Sequence, residues 1–134
     1  MEILWKDEYS VGVKEIDDQH KHFIFIANAF YDAILANKGR EELTALFQEI
    51  SDYADEHFAT EEKYFDQFNY EEADMHKLKH QEMRNEIKNL RNQEVGNKID
   101  FDGNIVYFIR DWLDDHLKNT DQKYKKCFKE HGLV

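Results

Sequence analysis

Apolar residues recur at steps of three and four along four segments of the chain, the spacing that places side chains on one face of an α-helix. The recurring positions are, in chain order, Phe23, Ile24, Ala27, Phe30, Leu43, Phe47, Ile50, Ala54, Met83, Ile87, Leu90, Ile105, Ile109 and Trp112. The pattern predicts helices over about 18–37, 40–65, 71–94 and 104–129. We expect Asp17 or Asp18 to cap the first helix, and Gly39 and Gly96 to close the first and third.

Four amphipathic helices joined by short loops pack best as an antiparallel bundle. We therefore predict an all-α fold in a single domain of 1–134, with an antiparallel up-down-up-down four-helix bundle over 18–129 and an extended N-terminal arm over 1–17. The composition agrees, because the chain has no proline, only five glycines and 35% charged residues. Such a composition favours long helices over a turn-rich β fold.

Histidines and a glutamate interrupt the apolar faces at positions that the pattern predicts to be buried. They are His20, His57, Glu61, His76, His80 and His116. Burying one unpaired polar group costs on the order of a few kcal/mol, so a set of buried polar groups is expected to share binding partners. In an antiparallel bundle, the starts of the first and third helices and the ends of the second and fourth lie at the same pole. We therefore expect these side chains to meet in one layer.

The spacing of these residues supports a shared site. Two pairs are four residues apart and so share a helical face, namely His57 with Glu61 and His76 with His80. Asp121 lies five residues after His116, which on a regular helix would turn it about 140° away. The inward stripe continues better through Tyr124 if one residue is inserted. We therefore predict a π-type bulge between His116 and Asp121, a feature common at functional sites.

Five histidines and two carboxylates are too many ligands for one ordinary ion, but they suit two. Suppose that Glu61 and Asp121 each bridge both ions, with one solvent-derived oxygen as a third bridge. The histidines then divide as three and two, so one ion is six-coordinate and the other has a vacancy. Imidazole and carboxylate together suit iron, manganese or zinc, and the residues alone do not choose among these metals.

The motifs resemble those of the hemerythrins, and specifically the single-domain bacterial hemerythrins. The resemblance covers nearly the whole chain and rests on Trp5, Tyr9-Ser10-Val11-Gly12-Val13, Ile16-Asp17-Asp18-Gln19-His20, His57-x3-Glu61, His76-x3-His80 and His116-x4-Asp121. Every ligand position of the family's motifs has a matching residue, in the same order and at the same spacing.

The resemblance implies a cofactor of two iron ions (Fe2+/Fe3+) joined by a bridging oxo or hydroxo group. The implied metal ligands are His76, His80 and His116 on a saturated iron, His20 and His57 on the iron with the vacancy, and Glu61 and Asp121 as bridges. The implied function is reversible dioxygen binding at this centre, for oxygen storage, transport or delivery.

Four apolar or aromatic residues near the predicted ligands are candidates for a ligand pocket, namely Phe23, Phe58, Trp112 and Leu113. A dry pocket would slow the irreversible oxidation of iron. Ordinary core packing is the alternative explanation, because such residues are buried in most folds.

The charge balance narrows the range of partners. The chain has 29 Asp and Glu residues against 18 Lys and Arg residues, and the net charge of -11 argues against binding to nucleic acid or to an anionic membrane. Its single cysteine, Cys127, excludes an internal disulfide. The sequence shows no signal peptide and no apolar run of roughly 20 residues, the length of a membrane span. We therefore expect a cytoplasmic monomer.

Two functions from other classes stay open. A sensor of dioxygen, nitric oxide or redox state would need a separate partner, since 134 residues leave no room for a fused signalling domain. A di-iron peroxidase-like enzyme would need an extra acid or base near the vacancy, and the sequence identifies none. We expect a binding protein and not an enzyme. The delivery or signalling partner of this binding protein is unknown.

Overall fold

The computed structural model describes residues 3–95 and 103–134, and every regular element within these ranges is a helix. The elements are a first 3-10 turn, Asp7–Tyr9; α1, Lys14–Leu35; α2, Arg40–Gln67; α3, Ala73–Val95; α4, Gly103–Asp115; a π-helical turn, His116–Thr120; a second 3-10 turn, Asp121–Tyr124; and α5, Lys125–Glu130. The chain from α4 to α5 forms one continuous fourth rod. No helix within the described ranges is both long and apolar enough to cross a membrane. The prediction of an all-α four-helix bundle is confirmed.

The positions of four buried polar residues show the direction of each helix. His20 lies near the start of α1, whereas Glu61 lies near the end of α2. His80 lies near the start of α3, whereas His116 directly follows α4. Because these side chains meet in one layer, successive helices must run in opposite directions, which gives the up-down-up-down order.

Helix α1 begins at Lys14, earlier than predicted. The prediction that Asp17 or Asp18 caps this helix is wrong. The Asp17 carboxylate accepts hydrogen bonds from the Ser10 hydroxyl at 2.6 Å and from the Val11 backbone N–H at 2.9 Å. It therefore ties the N-terminal arm to the first turn of a helix that has already begun.

The loop between α1 and α2 turns at an asparagine. Asn37 has φ 55°, in the left-handed region, which asparagine tolerates better than most residues with a side chain. Gly39 has φ -65° and is the N-cap of α2, so the prediction that Gly39 closes the first helix is wrong. The predicted stop at Gly96 lies outside the described residues.

Two apolar clusters fill the bundle on either side of the buried polar layer. The larger includes Phe30, Phe47, Phe58, Ile50 and Ile109, and the smaller comprises Val11, Val13, Ile16, Phe65, Tyr70, Tyr124 and Phe128. Phe58 stacks on the His80 ring with centroids 4.1 Å apart, and Phe65 lies 4.7 Å from the His76 ring. Aromatic contacts therefore enclose the layer from both clusters.

Hydrogen bonds hold the N-terminal arm against the bundle. The side chain of Asn28 on α1 accepts from the Ile3 backbone N–H and donates to the Ile3 carbonyl oxygen, both at 2.8 Å. The Tyr9 hydroxyl, at the end of a 3-10 turn, donates to Asp114 at 2.5 Å. The arm is thus folded along the bundle, and the 3-10 turn interrupts its predicted extended conformation.

Replacing Asn28 with alanine removes both bonds to Ile3. We expect the free energy of unfolding to fall by about 1–3 kcal/mol, since each bond contributes roughly 0.5–1.5 kcal/mol. A urea titration followed by circular dichroism measures the change. Asn85→Ala, at an exposed position on α3, is the matched control and should change stability by no more than about 0.5 kcal/mol. Equal midpoints for wild type and Asn28→Ala would show that these bonds contribute nothing.

Candidate metal centre

The residues predicted as metal ligands all lie in one buried layer between the four rods. They are His20 from α1, His57 and Glu61 from α2, His76 and His80 from α3, His116 at the start of the π-helical turn, and Asp121 directly after it. Each is at most 3% exposed, and Glu61 and Asp121 are fully buried at 0%. The fold therefore brings together all the residues that the sequence suggested, while their role as ligands stays a prediction.

The possible ligand atoms form two overlapping groups. One group contains Glu61, His76, His80, His116 and Asp121, and the other contains His20, His57, Glu61 and Asp121. Within each group, all the atoms lie within 4.8 Å of one another. Both carboxylates belong to both groups, so they lie where a bridge between two ions would require them. The histidines divide as three and two, the division that ligand counting predicted.

Asp121 faces three imidazoles. Its Oδ1 lies 3.0 Å from His76 Nε2 and 2.9 Å from His116 Nε2. Its Oδ2 lies 3.2 Å from His20 Nε2. Burial alone would raise the pKa of Asp121, but His116, His20 and His76 together hold this pKa well below its usual range. The Asp121 carboxylate is therefore charged at neutral pH.

Glu61 faces the other two imidazoles. Its Oε1 lies 3.0 Å from His57 Nε2 and 3.3 Å from His80 Nε2. Burial and the charge of Asp121 would raise the pKa of Glu61, but His57 and His80 hold it well below its usual range. Two buried anions thus lie side by side, an arrangement that is costly without cations to balance it.

These close approaches do not satisfy the buried polar atoms by hydrogen bonding. Within the described residues, both oxygens of Glu61 and Asp121, both ring nitrogens of His20 and Nε2 of His80 have no hydrogen-bond partner. Orphaned buried atoms of this kind are rare unless something else binds them. Because imidazole and carboxylate suit iron, manganese or zinc, the residues present fit a pair of such ions.

His116 and Asp121 share a face because the backbone between them is π-helical. The π-helical turn spans His116–Thr120, and the Asp121 backbone N–H donates to the His116 carbonyl oxygen five residues before it. The extra residue brings Asp121 round into the layer, which a regular α-helix would not do. The predicted π-type bulge is confirmed.

A small cavity borders the group that has two histidines. It is lined by His20, Phe23, His57, Phe58, Trp112, Leu113, His116 and Leu117, and its volume is about 10 Å³. This is the space that one water-sized molecule needs. The predicted pocket residues all lie on its wall, together with Leu117, which the sequence analysis missed. The signal in the sequence was the spacing, because Leu117 lies four residues after Leu113 and so shares its helical face.

A comparison with known families agrees with this geometry. Residues 11–128 match the family model of the hemerythrin HHE cation binding domain. The chain belongs to the hemerythrin family. It carries the family's four-helix bundle and, within it, a buried histidine and carboxylate cluster able to hold a metal.

Individual hemerythrins are similar along nearly the whole chain. Bacteriohemerythrin from Clostridium acetobutylicum is 27% identical over 126 residues, covering 90% of this chain and 97% of the relative. Hemerythrin-like protein from Naegleria gruberi is 30% identical over 121 residues, covering 90% and 89%. A crystal structure of wild-type hemerythrin is 26% identical with a TM-score of 0.88, covering 92% of this chain and 95% of that one.

Two histidines of the hemerythrin site are held from behind by residues that the sequence analysis did not assign to it. His57 Nδ1 pairs with Gln19 Oε1 at 2.7 Å, and His80 Nδ1 pairs with Glu62 Oε2 at 3.1 Å. Both contacts leave Nε2 of the ring directed into the layer. The one signal in the sequence was proximity, because Gln19 precedes His20 and Glu62 follows Glu61.

Tyr124 lies fully buried beside the same hemerythrin layer. Its ring packs against His76 and Phe65, with centroids 5.6 Å and 5.5 Å away. Within the described residues, its hydroxyl has no hydrogen-bond partner of regular geometry. Burial and then the charges of Asp121 and Glu61 raise the pKa of Tyr124 well above its usual value. The phenol therefore stays protonated, and its ring packs beside the layer with its hydroxyl close to Glu61.

Proposed function

We propose that this hemerythrin-family chain binds dioxygen reversibly at a pair of iron ions, for oxygen storage, transport or delivery. One observation carries the proposal: two ligand groups of unequal size share Glu61 and Asp121, and the smaller group borders an apolar cavity. An unequal pair offers one open position, which a carrier needs and a closed structural site lacks.

The residues assigned to each ion follow the two groups. His76, His80 and His116 would hold the closed iron, and His20 and His57 the open one. When bound, the iron pair supplies the electrons that dioxygen accepts and returns. Glu61 and Asp121 would hold the two ions together and offset half the charge of two ferrous ions. That reduction makes an apolar enclosure less costly.

The cavity wall has a separate task. Phe58 and Leu113 are at most 3% exposed and lie beside the open group, so they keep water from the ligand position. Trp112 stacks on His116 with centroids 4.3 Å apart, which fixes the plane of that imidazole. Excluding water limits the side reactions that oxidise the iron irreversibly.

The absorption spectrum tests the proposal. We expect the reduced protein to develop a visible band in air and to lose it under argon, over repeated cycles. Rapid conversion in air to an oxidised form that argon does not reverse would contradict dioxygen carriage.

The expectation of a cytoplasmic monomer stays a prediction that fractionation and size-exclusion chromatography can check.

Replacing Leu113 with asparagine, which has a similar shape, brings a polar group into the cavity wall. We expect irreversible oxidation of the dioxygen adduct to become about tenfold faster, which corresponds to about 1.4 kcal/mol in the barrier. The decay of the visible band in air measures this rate. Leu46→Asn is the matched control, about three helical turns before His57 on α2, and should leave the rate unchanged. Equal oxidation rates for Leu113→Asn and wild type would show that the apolar cavity wall does not protect the iron.

A further inference from the structure

The two ligand groups also differ in what supports their histidines from behind. In the smaller group, His57 Nδ1 meets the side-chain oxygen of Gln19 at 2.7 Å. In the larger group, His80 Nδ1 meets a carboxylate oxygen of Glu62 at 3.1 Å. One ring therefore donates to a neutral amide, and the other donates to an acid.

A chain of hydrogen bonds fixes the orientation of the Gln19 amide. Its Nε2 donates to the Thr60 hydroxyl at 3.2 Å, and that hydroxyl donates to the Glu56 carbonyl oxygen at 3.2 Å. Because the Thr60 hydroxyl already donates its hydrogen to Glu56, it can only accept a hydrogen bond from Gln19. Gln19 must therefore direct Nε2 to Thr60 and Oε1 to His57. The His57 proton accordingly lies on Nδ1, and its Nε2 is free to bind a metal.

Glu62 is held in its place by an arginine. Arg84 Nη2 donates to Glu62 Oε2 at 2.9 Å, and Arg84 Nε lies 3.5 Å from Asp55 Oδ1. The side chains of Glu62 and Arg84 are only 21% and 22% exposed. This pairing keeps an anion against His80 and limits how strongly that anion can pull on the His80 proton.

We infer that Glu62 is a positioning residue that lowers the reduction potential of the iron held with His80, while Gln19 leaves the iron held with His57 without this effect. The inference rests on the proposed di-iron function. An acid that accepts the Nδ1 hydrogen makes the opposite nitrogen a stronger donor, which favours the higher oxidation state. The iron that His80 would hold would then be more easily oxidised than the iron that His57 would hold.

Two substitutions with opposite expected signs test the inference. Glu62→Gln keeps the shape and removes the charge, so it should raise the reduction potential. Arg84→Met keeps an unbranched side chain, but it removes the guanidinium that lies over the Phe58 ring and pairs with Glu62. It leaves the Glu62 charge unbalanced, so it should lower the potential. We expect about a tenfold change in the oxidised-to-reduced ratio at a fixed potential in each case, about 59 mV for a one-electron couple. Spectroelectrochemistry measures both values, and iron analysis is run in parallel.

A third variant tests the contact between the neutral Gln19 amide and His57. Gln19→Glu places an acid behind His57 and should lower the potential, whereas Glu56→Gln, an exposed change on α2, should not move it. Potentials that stay unchanged, or a Glu62→Gln potential that falls as those of the other two variants do, would overturn the inference and leave Glu62 a purely structural role. If Glu62→Gln loses iron, the other two variants decide the question, because Arg84→Met and Gln19→Glu should both lower the potential, and a rise or no change in either would overturn the inference. A wild-type chain without two irons would refute the proposed function itself, and iron analysis reports that outcome separately.

Discussion

Replacing Asp121 with asparagine is expected to lower the bound iron from about two ions per chain to below one. Asp121 belongs to both ligand groups, so one substitution weakens the binding of both ions at once. The amide is neutral and turns a donor toward one of the facing imidazoles, which already approach within 3.2 Å. A neutral amide also offsets less of the metal charge than a carboxylate does.

The loss should come from binding and not from unfolding. Asp121→Asn removes one of two buried anions that repel each other, so we expect the helical circular dichroism to persist. Asp115→Asn is the matched control, because this exposed carboxylate lies on the same rod just before His116. It should retain the iron content of the wild type. An Asp121→Asn protein that still holds two irons would show that Asp121 does not bridge.

Replacing His57 with alanine is expected to remove reversible dioxygen binding while part of the iron remains. The substitution takes one nitrogen from the smaller group and leaves the five residues of the larger group in place. It also opens the cavity, since the His57 ring forms part of its wall. We expect the argon-reversible absorption to fall roughly tenfold or more, because a missing ligand changes a site more than a missing outer contact does.

His22→Ala provides the control for the His57 variant. His22 is exposed and lies two residues from His20 on α1, so it faces away from the layer. Its removal should change neither the iron content nor the dioxygen-dependent spectrum. Full reversible binding by His57→Ala would show that the open position lies elsewhere.

Helical periodicity was enough to predict that these histidines and carboxylates meet in one buried polar layer. A histidine or acid that lies three or four residues from the apolar positions belongs to the inward face of the helix, and this does not depend on the loops. Antiparallel packing then brings these residues together at one pole. The same reasoning found the π-helical turn, because Tyr124 could not follow His116 into the core without one extra residue. Local spacing therefore carries most of the information about the layer.

Contacts that a helix makes with residues outside it could not be predicted from periodicity. Asp17 looks like a helix cap, but the arm folds back and occupies its carboxylate through Ser10 and Val11. Glu62 and Arg84 lie on different helices and are partly exposed, so neither stands out in a hydrophobic pattern. Such pairs depend on how α2 and α3 pack together, which sequence spacing along one helix does not contain.

Dioxygen uptake by the reduced, iron-loaded protein is the direct test of reversible binding at a pair of irons. Gas uptake and iron content are measured on the same sample, first in air and then after exchange into argon. We expect one dioxygen to be taken up for each pair of irons and to be fully returned under argon. Uptake that argon does not reverse, or no uptake by a chain that holds both irons, would contradict this expectation.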